Sequence, residues 1–137
     1  MATGMVVVAA SGCTRADTPL PPSPPSVALD MSEYRFDHPA VVPRGRVVFR
    51  IGNSGKLLHR FLLVPVPPGA PPVATLAKGR LGSLPNTIAS SPSYPPGARA
   101  GLAVDLRPGR YGLFCIIVDD DRMFHFEKGM ASEFRVR

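Results

Sequence analysis

At 137 residues, 45% apolar and 19% charged, the chain suits one domain with its own core, and its composition argues against a disordered chain or a disulfide-stapled miniprotein. The net charge of +6 raises nucleic acid as a partner. However, the basic residues from Arg44 to Arg110 stand singly, with no basic helix and no basic run interleaved with aromatics, so an acidic protein or anionic lipid headgroups fit better.

The chain begins MATGMVVVAASG, followed by Cys13. The apolar stretch Met5 to Ala10 is too short to span a bilayer. Ala10-Ser11-Gly12-Cys13 resembles the cleavage box of bacterial lipoprotein signal peptides. Ala10 departs from that pattern, which usually has Leu there, and no Lys or Arg precedes the apolar run. The resemblance implies that residues 1–12 act as an export signal and that Cys13 carries the lipid. The protein would then be periplasmic or at the cell surface, held to the membrane. Pro19, Pro21, Pro22, Pro24 and Pro25 make residues 13–26 an extended tether.

From Val27 the pattern alternates with period two, and residues 27–137 are expected to form the domain. Val27 to Met31 predicts a strand that Tyr34 and Phe36 continue. Val47 to Ile51 predicts a buried strand, and Gly52-Asn53-Ser54-Gly55 a turn. Leu57 to Val66 predicts the next strand, with His59 inside it. Residues 67–96 are punctuated by proline, with a short helix expected over 75–81. Gly101 to Leu106 predicts a strand and Arg107-Pro108-Gly109-Arg110 a tight turn. Tyr111 to Val118 predicts an apolar strand with Cys115 toward its end. Asp119-Asp120-Asp121-Arg122 predicts a solvated turn, and Ser132 to Arg137 the closing strand. Seventeen prolines and almost no helix signal suit an all-β, antiparallel Greek-key β-sandwich.

His59, Cys115, His125 and Met130 stand out by type and order. Gly52-Asn53-Ser54-Gly55 through His59-Arg60-Phe61, then Pro108 to Cys115, then His125 through Gly129-Met130, resemble the cupredoxins, the relatives of plastocyanin and azurin. The resemblance covers most of residues 27–137 and implies one copper ion held by His59, Cys115, His125 and Met130. Two imidazoles and a thiolate make a trigonal site that a weak axial thioether completes, acceptable to both copper oxidation states. It also implies that His125 sits near the surface as the route for electrons. Tyr111, Phe114, Ile116, Phe124 and Phe126 are expected to supply an apolar surround. Two departures are plain: nine residues separate Cys115 from His125, a longer ligand loop than usual, and Arg60 stands where an Asn often braces the thiolate.

Zinc on the same Cys and His residues is a chemically open alternative. The Asp119–Asp121 run lacks the Gly and distal Glu of a calcium loop. His38 reads as a surface turn residue, and Met123 as a weaker substitute for Met130. No Gly-x-Ser-x-Gly, phosphate-loop or His-Glu-x-x-His pattern occurs, so the chain is not expected to be an enzyme. The expected role is an exported copper electron carrier serving a redox partner in the cell envelope. The alternatives are a cupredoxin-fold binding module with an altered or lost metal site, and a copper storage or delivery protein.

Overall fold

A computed structural model of the chain describes residues 12, 18–79 and 87–137. Cys13 and most of the signal-like segment lie outside the described residues, as do residues 80–86. Residues 18–25 are exposed and form no regular element before the first strand.

Alternating apolar residues build two facing sheets. One has the strand order β2-β1-β4-β7, from Arg35–Asp37, Ser26–Ser32, Gly45–Asn53 and Arg99–Leu106. The other has the order β3-β9-β8-β5-β6, from Val41–Val42, Ala131–Val136, Gly109–Phe114, Leu62–Val66 and Ala89–Ser90. Most pairings are antiparallel, but β1 with β4 and β3 with β9 are parallel. Val27, Leu29 and Met31 of β1 face Phe49 and Ile51 of β4, and these pack onto Leu113, Phe134 and Val136 across the sandwich.

β8 is buried on both faces, which explains its continuous apolar run. Its odd-numbered residues Tyr111 and Leu113 enter the main core, as does Cys115 just beyond the strand. Phe114 turns to a second cluster with Val64, Val66, Val73, Ala77 and Phe126. That outer cluster is capped by the helical turn α1, Val73–Leu76, which follows Pro72. The helix expected over 75–81 is therefore earlier and shorter, because Pro72 sets its start.

The chain turns at Glu33 and Tyr34, so the expected continuation of the first strand becomes the separate antiparallel β2, and two further boundary shifts shape the candidate site. Leu57 and Leu58 are exposed rather than in a strand, and β5 begins at Leu62. Between them His59 makes only an isolated bridge to Tyr94. The chain is held out of the sheet there because buried Asn53 donates from Nδ2 to the carbonyls of Leu57 and Tyr94, at 2.9 and 2.8 Å. Likewise β8 ends at Phe114 rather than near Val118. Beyond it the chain pairs with its own loop, His125 N donating to Ile117 O at 2.8 Å and Phe126 N to Cys115 O at 3.0 Å.

Candidate metal centre

His59, Cys115, His125 and Met130 come together at one end of the sandwich, where β8 and β4 end and β5 and β9 begin. All four are fully buried. One donor atom each from His59, Cys115 and His125 lies within 4.8 Å of the others. His59 Nδ1 is 3.2 Å from His125 Nδ1, which is 3.5 Å from Cys115 Sγ. The backbone fixes Met130 beside them: its N–H donates to His125 O at 2.9 Å, and its carbonyl accepts from Cys115 N at 3.1 Å. Gly129 reaches φ +110, a turn that glycine makes without strain, just before Met130. Met130 packs in the same core cluster as Cys115, whereas Met123 is exposed.

The far side of each imidazole is tied to a carboxylate. His125 Nε2 lies 2.8 Å from Asp119 Oδ1, and His59 Nε2 lies 3.2 Å from Glu33 Oε1. An ionised carboxylate accepts from Nε2–H, so it selects the tautomer whose Nδ1 lone pair points inward. Glu33 Oε1 also accepts from the amides of Lys56 and Leu57, at 2.7 and 2.8 Å. Desolvation opposes the Glu33 charge, but these amides and the His59 ring outweigh it and lower its pKa. Asp119 is held well below the usual carboxylate range by Lys128, Tyr34 and His125. Lys128 Nζ is 2.7 Å from Asp119 Oδ2, and Tyr34 Oη donates to that same oxygen at 2.6 Å.

The donor chemistry fits a soft cation. Two Nδ1 lone pairs facing each other at 3.2 Å repel unless a proton or a metal ion lies between them. Burial, the largest influence on His59, lowers its pKa and so disfavours the proton. Burial also pushes the Cys115 thiol up, while the backbone N–H groups of Arg60 and Ile117 favour the thiolate. Arg60 stands at the position where the resemblance has a bracing Asn. The Arg60 side chain instead donates to Ser90 Oγ at 2.8 Å.

Several expectations change. His125 has no surface of its own: it is 0% exposed, because Asp119 bonds its outer nitrogen and the Tyr34 ring packs edge-on at 5.1 Å. Asp119 is not part of a solvated turn, since the nine-residue loop folds it back onto His125. Tyr111 does not border the centre; it stacks on Phe134, and its hydroxyl donates to Arg107 O at the opposite end. Phe114, Ile116 and Phe126 pack in the outer cluster, and Phe124 is partly exposed. His38 is half-buried and bonded to Ser132 Oγ at 2.7 Å rather than free in a surface turn. Glu33, Tyr34, Asn53 and Lys128 had no sequence signal of their own. For Asp119, the one available signal was its place in the unusually long ligand loop.

No protein-family model matches the chain, and no curated protein matches it. Solved structures do. An auracyanin from Roseiflexus castenholzii, reduced with dithionite, aligns with a TM-score of 0.58 at 20% identity, over 82% of this chain and 96% of that one. Auracyanin A from Chloroflexus aurantiacus, described as a "blue" copper protein, aligns with a TM-score of 0.57 at 20% identity, over 84% and 100%. Rusticyanin from Thiobacillus ferrooxidans aligns with a TM-score of 0.53 at 18% identity, over 84% and 79%. At such identities the likeness speaks for architecture alone, and that architecture, two sheets with almost no helix, is the cupredoxin-like β-sandwich.

Proposed function

We propose that this chain is a small exported electron-transfer protein in which His59, Cys115 and His125 would hold one copper ion, with the thioether of Met130 as a weaker fourth donor. The observation that carries the reading is the inward convergence of two Nδ1 atoms and one sulfur, with both outer nitrogens fixed by carboxylates. The buried thioether of Met130 beside that set favours a soft ion such as copper over zinc. A copper ion in such a set supplies one-electron chemistry between Cu(II) and Cu(I).

The chain's own residues do the rest. Burial of the donors keeps water out, and the carboxylate ties hold both rings in one orientation, so little rearranges when charge changes. With all donors supplied by protein, no position is left for a substrate, which favours a carrier over an enzyme. Residues 1–12 would direct export and Cys13 would carry a lipid, with the Pro-rich segment as tether. The redox partner would lie in the cell envelope.

The closed outer face of His125 favours a second reading, copper storage, because a sealed ion leaves slowly. Voltammetry of the copper-loaded protein separates the two. A reversible one-electron wave that survives repeated cycling supports the carrier. A protein that takes up Cu(I) but gives no reversible wave supports the store.

A further inference from the structure

The end of the sandwich opposite the candidate centre carries an open groove of about 670 Å³. Its floor is apolar, with Pro65, Val66, Pro67, Pro108, Tyr111 and Val136, and its rim holds Arg110, Arg135 and Arg137. The topology gathers further cations there. Gly45 pairs with Leu106 and Gly109 with Val136, so the turns bearing Arg44 and Arg107 lie beside the C-terminal residue. Arg44 N donates to Arg137 O at 3.2 Å. Arg46 is paired with Asp105 and Arg110 with Glu133. Among the described residues no carboxylate pairs with Arg44, Arg107, Arg135 or Arg137, and all four are exposed.

The other end carries both signs, because Lys128 pairs with Asp119 and Asp121 there and Lys56 and Arg122 lie in the same loops. The excess of arginine therefore lies at the groove end of the strands. β1 begins on the basic side and runs toward the centre, so the proline-rich segment enters the domain from that side.

We propose that this arginine-rimmed apolar groove docks the domain on an anionic phospholipid surface, with the metal centre facing away. Guanidinium groups pair with phosphates in a planar, bidentate way, and apolar floor beside them suits the glycerol and upper acyl region. A bilayer fits better than an acidic electron partner, because a partner bound here would sit a full sandwich length from the centre. The choice of a bilayer over a protein partner rests on the electron-carrier reading, whereas vesicle binding is read without any metal.

The test is sedimentation of the full chain, carrying Cys13→Ser so that no lipid is attached, with vesicles of phosphatidylcholine alone or mixed equally with phosphatidylglycerol. Binding is expected only to the mixed vesicles and is expected to weaken with salt. The triple variant Arg107→Gln, Arg135→Gln, Arg137→Gln should bind on the order of a hundredfold more weakly. A control with the same charge change elsewhere, Arg50→Gln, Lys78→Gln, Arg99→Gln, should bind within a few-fold of the parent. Circular dichroism and melting curves show whether each variant is folded; should the triple variant not fold, Arg137→Gln alone, at the chain terminus, with a several-fold loss, serves instead. Equal loss in both triple variants would reduce the effect to net charge and overturn the proposal. Equal binding to both vesicle types, or none to either, would also overturn it.

Discussion

Asn53 is the residue on which the placement of His59 depends most, and Asn53→Ala tests this without any metal. Its side chain is buried and makes three hydrogen bonds: Nδ2 donates to Leu57 O and Tyr94 O, and Oδ1 accepts from Gly55 N at 3.0 Å. Tyr94 O keeps a second donor, the His59 amide, at 3.1 Å. Leu57 is exposed, so water reaches its carbonyl after the change. Neither carbonyl is therefore orphaned, and each of the three bonds costs near the net value of about 1 kcal/mol. With the small void, the expected loss is about 2–4 kcal/mol, or roughly 8–15 °C in Tm for a domain of this size. Asn53→Asp should be at least as damaging, because it keeps the acceptor for Gly55 but turns a carboxylate toward two carbonyl oxygens. The assay is urea unfolding followed by circular dichroism. A loss below about 0.5 kcal/mol for Asn53→Ala, or a stable Asn53→Asp, would refute the reasoning.

In the copper-loaded protein, Asp119→Asn should raise the reduction potential, since it removes a negative charge that favours the more positive oxidised state. The Coulomb term across the His125 ring gives a rise of about 50–100 mV, and an unchanged or lower potential in voltammetry would count against the carboxylate's role. Copper uptake should weaken as pH falls, because the ion must displace the Cys115 proton, which burial holds on above the ordinary value of 9.0. His59, lowered below 6.5, adds no competing proton near neutrality, so competition titrations should give a slope of about tenfold per pH unit between roughly pH 7 and 9. Gly112→Ala would set a Cβ 2.7 Å from Phe114 Cε2 and 3.1 Å from Val73 Cγ2. A loss of about 1–3 kcal/mol is expected in thermal melts, and no loss would mean that this outer cluster is loosely packed. As pH falls below the usual carboxylate range, the Asp119–Lys128–Tyr34 contacts should be among the last acid-sensitive ones lost. Asp119's lowered pKa makes its contribution present above the unfolded value of about 3.9, and lost only as pH drops through the lower folded value. Acid titration by nuclear magnetic resonance checks this, and a normal Asp119 midpoint would contradict it.

The strands that face both the core and solvent were legible, because alternation reports burial on one face: Val27 to Met31 and Ser132 to Arg137 behave this way. The two errors in strand extent that border the site came from apolar pairs that do not report burial. Leu57-Leu58 reads as strand but is lifted into a turn by Asn53 and Glu33, which bond across the loop from elsewhere in the chain. Ile116-Ile117 reads as a continuation of β8 but pairs with its own loop. The four proposed ligands were legible only as an ordered set resembling a family. Their carboxylate partners were not. Glu33 reaches His59 through the parallel pairing of β1 with β4, which leaves no local mark. Asp119 was hidden in an acidic run whose other members are solvated.

The central claim is that Cys115, as a thiolate, joins His59 and His125 on one copper ion. Titration of the purified protein with Cu(II), followed by visible absorption and metal analysis, tests it most directly. An intense sulfur-to-copper band that saturates at one equivalent and vanishes in Cys115→Ser is the predicted result. Absence of the band, with no tightly bound copper in a folded protein, would contradict the claim and leave a cupredoxin-fold binding module.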